Sequence, residues 1–101
     1  MLSNTSKYAI RAAIYIALHT EDNTKVDIKT IAASLKIPSP FLAKILQVLA
    51  KQKVLISTKG PNGGFSLGRE ADEISIYEII NIIDGGDIFE QGKAKFRMEG
   101  N

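Results

Sequence analysis

The sequence predicts a mainly α domain with one small β-hairpin, arranged as a winged helix-turn-helix, and three observations carry that prediction. Two amphipathic helical stripes are separated by a sharp break, Ile37-Pro38-Ser39-Pro40. A β-branched run, Val54-Leu55-Ile56-Ser57-Thr58, is followed by a glycine-rich turn and a short alternating return. Positive charge gathers in that same part of the chain. At 101 residues, with 45% hydrophobic and 24% charged side chains, the chain has room for one packed core and the composition of a globular domain.

The elements follow in order. A first helix is expected from about Lys7 to Thr20, capped by Thr5 or Ser6, with Tyr8, Ala12, Tyr15 and His19 on one face and Ile10, Ile14, Ala17 and Leu18 on much of the other. A helix apolar nearly all round belongs at the centre of a small bundle, with Lys7 and Arg11 as its polar strip. The second helix starts at the cap Asp27 and ends near Lys36; Ile28, Ile31, Ala32 and Leu35 make its stripe. Pro38 then forces the preceding residue out of helical space, Ser39 is a candidate cap, and Pro40 suits the first helical position. The third helix, about Pro40 to Gln52, buries Leu42, Ile45, Leu46 and Leu49 and turns Pro40, Lys44, Gln47 and Lys51 outward. Lys59-Gly60-Pro61-Asn62-Gly63-Gly64 is a turn cluster, and Phe65-Ser66-Leu67 returns as the partner strand. After an acidic loop, Ser75 caps a fourth helix with the stripe Ile76, Ile79, Ile80 and Ile83, which Gly85-Gly86 ends. Residues 1–86 are thus expected to form one domain, with the helix-turn-helix at about 27–52 and the hairpin at about 54–68. Residues 87–101 are expected to form a short flexible tail.

Charge is unevenly placed. From Met1 to Arg69 there are ten Lys/Arg against three acids, a net of +7; from Glu70 to Asn101 there are three against eight, a net of −5. A basic body with an acidic end is a candidate polyanion binder, provided the charge collects on one face. Other chemistries fall away. The chain has no cysteine, so disulfides, thiolate zinc, cysteine-ligated iron–sulfur clusters and cysteine nucleophiles are excluded, and no cofactor or metal is expected within it. His19 is the single histidine and suits a packing or capping role at a helix end. No apolar run approaches the roughly 20 residues of a membrane span. The N-terminal apolar stretch is interrupted by Arg11 and has no small-residue cleavage site, so no signal peptide is expected and the protein reads as cytoplasmic. Asp84, Asp87 and Glu90 come with no base or nucleophile, and GPNGG lacks the spacing and Lys-Ser/Thr ending of a nucleotide loop. No enzymatic activity is expected.

In a winged helix, the second helix of the helix-turn-helix enters the major groove of DNA while the hairpin lies along the backbone or reaches the minor groove. On that basis Lys44 and Gln47 are the candidates for base edges. Ser39, with the backbone N–H groups of Phe41 and Leu42, is the candidate for a phosphate at the helix N-terminus. Lys51, Lys53 and Lys7 are candidates for phosphates. Lys59, Gly60, Asn62 and Gly63 make a wing tip whose glycines let backbone approach nucleic acid closely. The plainer reading of each stands beside it. A Lys/Gln helix face is ordinary solvated surface, a glycine cluster is a tight turn, and Tyr8 and Tyr15 are core. A winged helix that contacts protein rather than DNA, docking a basic partner through its acidic end, is the rival function. The two are told apart by whether Lys44, Lys51, Lys53 and Lys59 share one surface.

The residues also resemble a known family. SKYAIRAAIYIAL, IAASLKIPSPFLAKILQVLAKQKVL, STKGPNGGFSLG and EISIYEIINIIDG are similar to the Rrf2-type winged-helix regulators of bacteria, over roughly Met1 to Gly86. The resemblance implies a cytoplasmic homodimer that binds a partly palindromic operator in double-stranded DNA, usually to repress transcription. It implies that Ser39, Pro40, Ala43, Lys44 and Gln47 face the major groove and that Lys59 approaches the minor groove. Ala43 departs from members that read bases with a polar side chain there, and Lys59 lacks the planar fork of an arginine. Sensing members continue with a cysteine-bearing loop and a long dimerisation helix. FEQGKAKFRMEGN stands in that place here, so neither cluster sensing nor pairing through the usual long helix is expected.

Overall fold

Small polar residues begin the first helix earlier than its apolar spacing indicates. In a computed structural model describing residues 3–20 and 24–85, α1 spans Asn4–His19, and its N-cap is Ser3, whose side chain accepts a hydrogen bond from the Ser6 backbone N–H. The cap expected at Thr5 or Ser6 is therefore corrected to Ser3. Ser6 lies inside the helix and is wholly buried. α2 spans Ile28–Leu35 and is capped as expected by Asp27, which accepts from the Thr30 N–H at 2.9 Å. That bond, with Lys29 nearby, holds the Asp27 carboxyl below its ordinary range.

α3 spans Ser39–Lys51. Its N-cap is Pro38, in extended geometry, and the Pro38 carbonyl accepts the Leu42 N–H at 2.9 Å. Ser39 makes no capping hydrogen bond, contrary to its expected role, because the helix already begins at it. The hairpin joins β1 (Leu55–Thr58) to β2 (Gly64–Leu67) in antiparallel register, Leu55 opposite Leu67 and Ser57 opposite Phe65. A 3-10 turn at Ala71–Glu73 leads to α4 (Ile76–Asp84), where Ser75 accepts from the Glu78 N–H as expected. Gly85, the C-cap of α4, is right-handed rather than left-handed. Gly86 and the tail expected over 87–101 lie outside the described residues.

α1 packs against α2, α3, α4 and β2, which makes it the centre of the bundle. Ala9, Ala12, Ala13 and Ile16 meet Ile31, Leu42, Leu46, Leu49, Leu55 and Ile83 in one core. Burial on all sides does not follow, however: Ile14 is 49% and Leu18 70% exposed, on a flank of α1 that no described element covers. Tyr8 and Tyr15 do pack against the core.

Two helix ends use a conformation that the sequence does not advertise. Lys36 and Lys53 are left-handed, at φ 59° and 67°. Beside them the Ile37 N–H returns to the Ala32 carbonyl and the Val54 N–H to the Leu49 carbonyl, satisfying the last turns of α2 and α3. The wing is tied down by a bridge absent from the sequence reading: Val26 and Phe65 exchange backbone hydrogen bonds at 2.8 and 3.0 Å.

Candidate nucleic-acid interface

Between Ile28 and Gly68 stand Lys29, Lys36, Lys44, Lys51, Lys53 and Lys59, with no carboxylate among them. α3 is exposed at Pro40, Lys44, Gln47 and Lys51 and buried at Leu42, Ile45, Leu46 and Leu49, as its spacing requires. The left-handed turn at Lys53 reverses the chain so that β1 runs beside the end of α3. A recess of about 670 Å³ opens there, lined by Gln47, Lys51, Lys53, Ile56 and Ser57. A second recess, of about 680 Å³, lies further toward the start of α3 and is lined mainly by apolar side chains, with Phe41, Ala43, Lys44, Gln47, Val48 and Ile83 around it. Gln47 belongs to both. The structure therefore brings Ala43, Lys44, Gln47, Lys51 and Lys53 onto one continuous face.

The remaining candidates divide. Phe41 is 38% exposed and holds Tyr8 edge-on at 5.5 Å between ring centroids, so α1 braces the first turn of α3. The Leu42 N–H is taken by Pro38, which removes it from the candidate phosphate site. Lys59 and Gly60 are exposed at the start of the wing turn and line neither recess of the α3 face, so three of the four lysines expected on one surface share it and Lys59 stands apart. Gly60 sits at φ 104° with open space around it, a conformation that a side chain would strain. Asn62 and Gly63 instead line a recess with Tyr15, His19, Asp27 and Thr30, so that part of the tip faces the junction of α1 and α2. The tip expected to act as one unit is split. Lys7 is exposed on α1 and lines neither recess of the α3 face.

Several bracing contacts carried no sequence signal. The Arg69 guanidinium donates to both Glu78 oxygens, at 2.9 and 2.6 Å, and fastens the end of the hairpin to α4. This fork holds the Glu78 carboxyl below its ordinary range and raises Arg69. Arg11 donates to the Leu35 carbonyl at 3.1 Å, closing the end of α2, and the Tyr15 and Ser34 hydroxyls meet at 3.0 Å. Asp84, at the last turn of α4, accepts from the Ser3 hydroxyl at 2.6 Å and the Ser6 hydroxyl at 2.7 Å. Burial pushes the Asp84 carboxyl up, but these hydroxyls outweigh burial and leave it below its ordinary value. His19 stacks on Tyr15 at 3.9 Å, with Nδ1 2.8 Å from the Tyr15 carbonyl oxygen.

Comparison with known proteins agrees with this fold. The model of the Rrf2 family, described as an iron-dependent transcriptional regulator, matches residues 2–100. A protein of Aquifex aeolicus named as an HTH-type transcriptional regulator is 44% identical over 90 residues, covering 89% of this chain and 60% of the relative. Among solved structures, CymR, the global cysteine regulator of B. subtilis, is similar with a TM-score of 0.79 and 25% identity, over 84% of this chain and 65% of that one. IscR of T. potens is similar with a TM-score of 0.74 and 27% identity, over 95% and 66%. The chain spans between 60% and 66% of the length of these three relatives. The described residues do not fit the iron of the family description: they hold no group of three or more His, Cys, Asp or Glu placed for a metal, and the chain has no thiolate. No helix among them is long and apolar enough to cross a membrane. The chain belongs to the Rrf2 family, whose members are transcriptional regulators rather than enzymes, and it has the winged-helix fold of that family's solved structures.

Proposed function

We propose that this chain is the DNA-reading part of a cytoplasmic transcription repressor that binds a partly palindromic operator as a homodimer. The observation that carries the proposal is the continuous face of Lys44, Gln47, Lys51 and Lys53 within an acid-free stretch of the chain. α3 lies in the major groove, with Lys44 directed to guanine acceptors and Gln47 to adenine. Lys51 and Lys53, flanking the recess between α3 and β1, take backbone phosphates. Lys59 approaches the minor groove. Ile14 and Leu18 on α1 and Ile76 and Tyr77 on α4 are exposed apolar side chains, which supports pairing with a second copy. No cofactor and no cysteine-ligated cluster takes part within these residues.

The test is binding to a selected duplex across salt concentrations. Each phosphate-contacting lysine contributes roughly 0.9 to the slope of log affinity against log salt. Lys44→Ala weakens binding and alters base preference, whereas Lys59→Ala mainly flattens the slope. Equal affinity of wild type and the Lys44→Ala/Lys59→Ala double variant for all fragments would sink the assigned surface. In that event a winged helix used for protein contact becomes the better reading. Light scattering checks the dimer.

A further inference from the structure

Resting on the DNA-reading assignment above, we propose that the start of α3 reads the 5-methyl group of thymine, with Ala43 as the side chain that touches it. Pro40, Ala43 and Gln47 are spaced three and four residues apart and so form one row along the helix, flanked by Lys44. The first two members of that row are apolar, and neither can donate or accept a hydrogen bond through its side chain. The recess beside them is lined mainly by apolar groups, its polar side chains being Lys44, Gln47 and Thr5. Phe41 is held there against Tyr8, so the apolar character belongs to a braced surface.

A base edge brought against Ala43 therefore loses water and finds no polar partner in its place. The other three bases carry no methyl group there, and the donors and acceptors they present in the major groove lose by this exchange. Thymine presents a methyl group, which gains by leaving water against another methyl. Lys44, Lys51 and Lys53 supply the charge complementarity that draws the duplex to this face, and no carboxylate of the α2-to-wing segment opposes it. Gln47, one turn further along the same row, offers the amide that pairs with adenine. The half-site that fits the row holds a thymine read through its methyl and an adenine read through hydrogen bonds.

The experiment uses the 101-residue chain and a duplex selected by it from random sequence. Thymines of that duplex are replaced one at a time by deoxyuridine, which deletes the methyl group and leaves base pairing intact. One thymine in each half-site is expected to lose roughly 3- to 5-fold in affinity on replacement, the value of one buried methyl. In Ala43→Gly the same replacement has no effect, and the salt slope stays that of wild type. Ala43→Ser, closer in volume and kinder to the helix, narrows the thymine–uracil difference and gives the same reading if the glycine variant does not fold. The inference is overturned if no thymine shows methyl dependence, or if that dependence survives undiminished in both variants. Salt-dependent binding without methyl dependence overturns this inference alone. Absence of binding to every duplex overturns the DNA-reading assignment and this inference with it.

Discussion

The bracing pair α1 and α4 and the segment from α2 through the wing treat their polar side chains in opposite ways. In the brace, three charged side chains are matched: Asp84 with Ser3 and Ser6, Arg11 with the end of α2, and Glu78 with Arg69 where the wing ends. From α2 through the wing, the side chains of Lys44, Lys51, Lys53 and Lys59 make no hydrogen bond or ion pair to another described residue. A matched network fixes geometry, and an unmatched row of cations waits for charge from outside the fold. Stability and binding should therefore respond to different substitutions.

The largest effect is expected where the two regions meet. A Cβ on Gly64 would lie 2.6 Å from the Val26 carbonyl oxygen, at the bridge that anchors the wing. Gly64→Ala should destabilise the fold by about 2–3 kcal/mol, lowering Tm by roughly 10–20 °C in thermal melts. A melt within a degree or two of wild type would show that the bridge does not fasten the wing.

Lys44→Ala sharpens the contrast from the other side. It should weaken specific DNA binding by about 1–3 kcal/mol, measured by anisotropy, and leave Tm unchanged. A comparable drop in Tm would mean that Lys44 supports the fold.

Asp84→Ala tests the brace alone. It leaves the buried Ser6 hydroxyl without its acceptor and should cost about 1–2 kcal/mol by urea denaturation, with an unchanged salt slope for DNA. The same clamp gives a pH signature. Asp84, Glu78 and Asp27 all titrate below their ordinary values of 3.8, 4.5 and 3.8. Their contribution to stability is complete above those ordinary values and drains as the pH falls through the lower folded ones. Tm should accordingly be level from about pH 7 to 5 and fall below pH 4, with a shallower fall in Asp84→Asn. Parallel curves for the two proteins would rule out Asp84 as a source.

The smallest expected effect separates the two left-handed lysines. Lys36→Gly and Lys53→Gly each remove side-chain strain at positive φ and should change stability by no more than about 1 kcal/mol, in the stabilising direction. Only Lys53→Gly should flatten the salt dependence of DNA binding, because only Lys53 lies on the α3 face.

What the sequence made legible follows the kind of force involved. The α2 and α3 stripes, the break at Ile37–Pro40 and the β1–β2 hairpin were readable because apolar spacing and turn chemistry are local properties. The starts of α1 and α3 were misplaced because Asn4–Ser6 carry no apolar signal and Ser39 is as good a cap in composition as Pro38 proved to be in geometry. Lys36 and Lys53 gave no warning of left-handed backbone, since glycine is the usual marker. Ile14 and Leu18 were expected inside because periodicity shows that a face is apolar, not what covers it. In the interface, Lys44, Gln47 and Lys51 were readable from one helix alone. Their union with Lys53 depends on the left-handed turn that follows α3, and the turning of Asn62 and Gly63 toward α1 on how the wing folds back through the Val26–Phe65 bridge, a contact between residues 39 apart.

The Asp84 clamp bears on the order in which the domain can be completed. Ser3 and Asp84 are 81 positions apart, yet their side chains meet at 2.6 Å. A chain emerging from the ribosome has made every element that reads DNA once Gly68 is synthesised, but the first turn of its first helix still lacks its acceptor. Closure waits for the last turn of α4, so the earliest part of the domain to be made is among the last to be fastened. The same proximity brings the two ends of the described body together, which is the arrangement a circular permutant needs: a short linker from Gly85 to Ser3 would join them with the clamp intact.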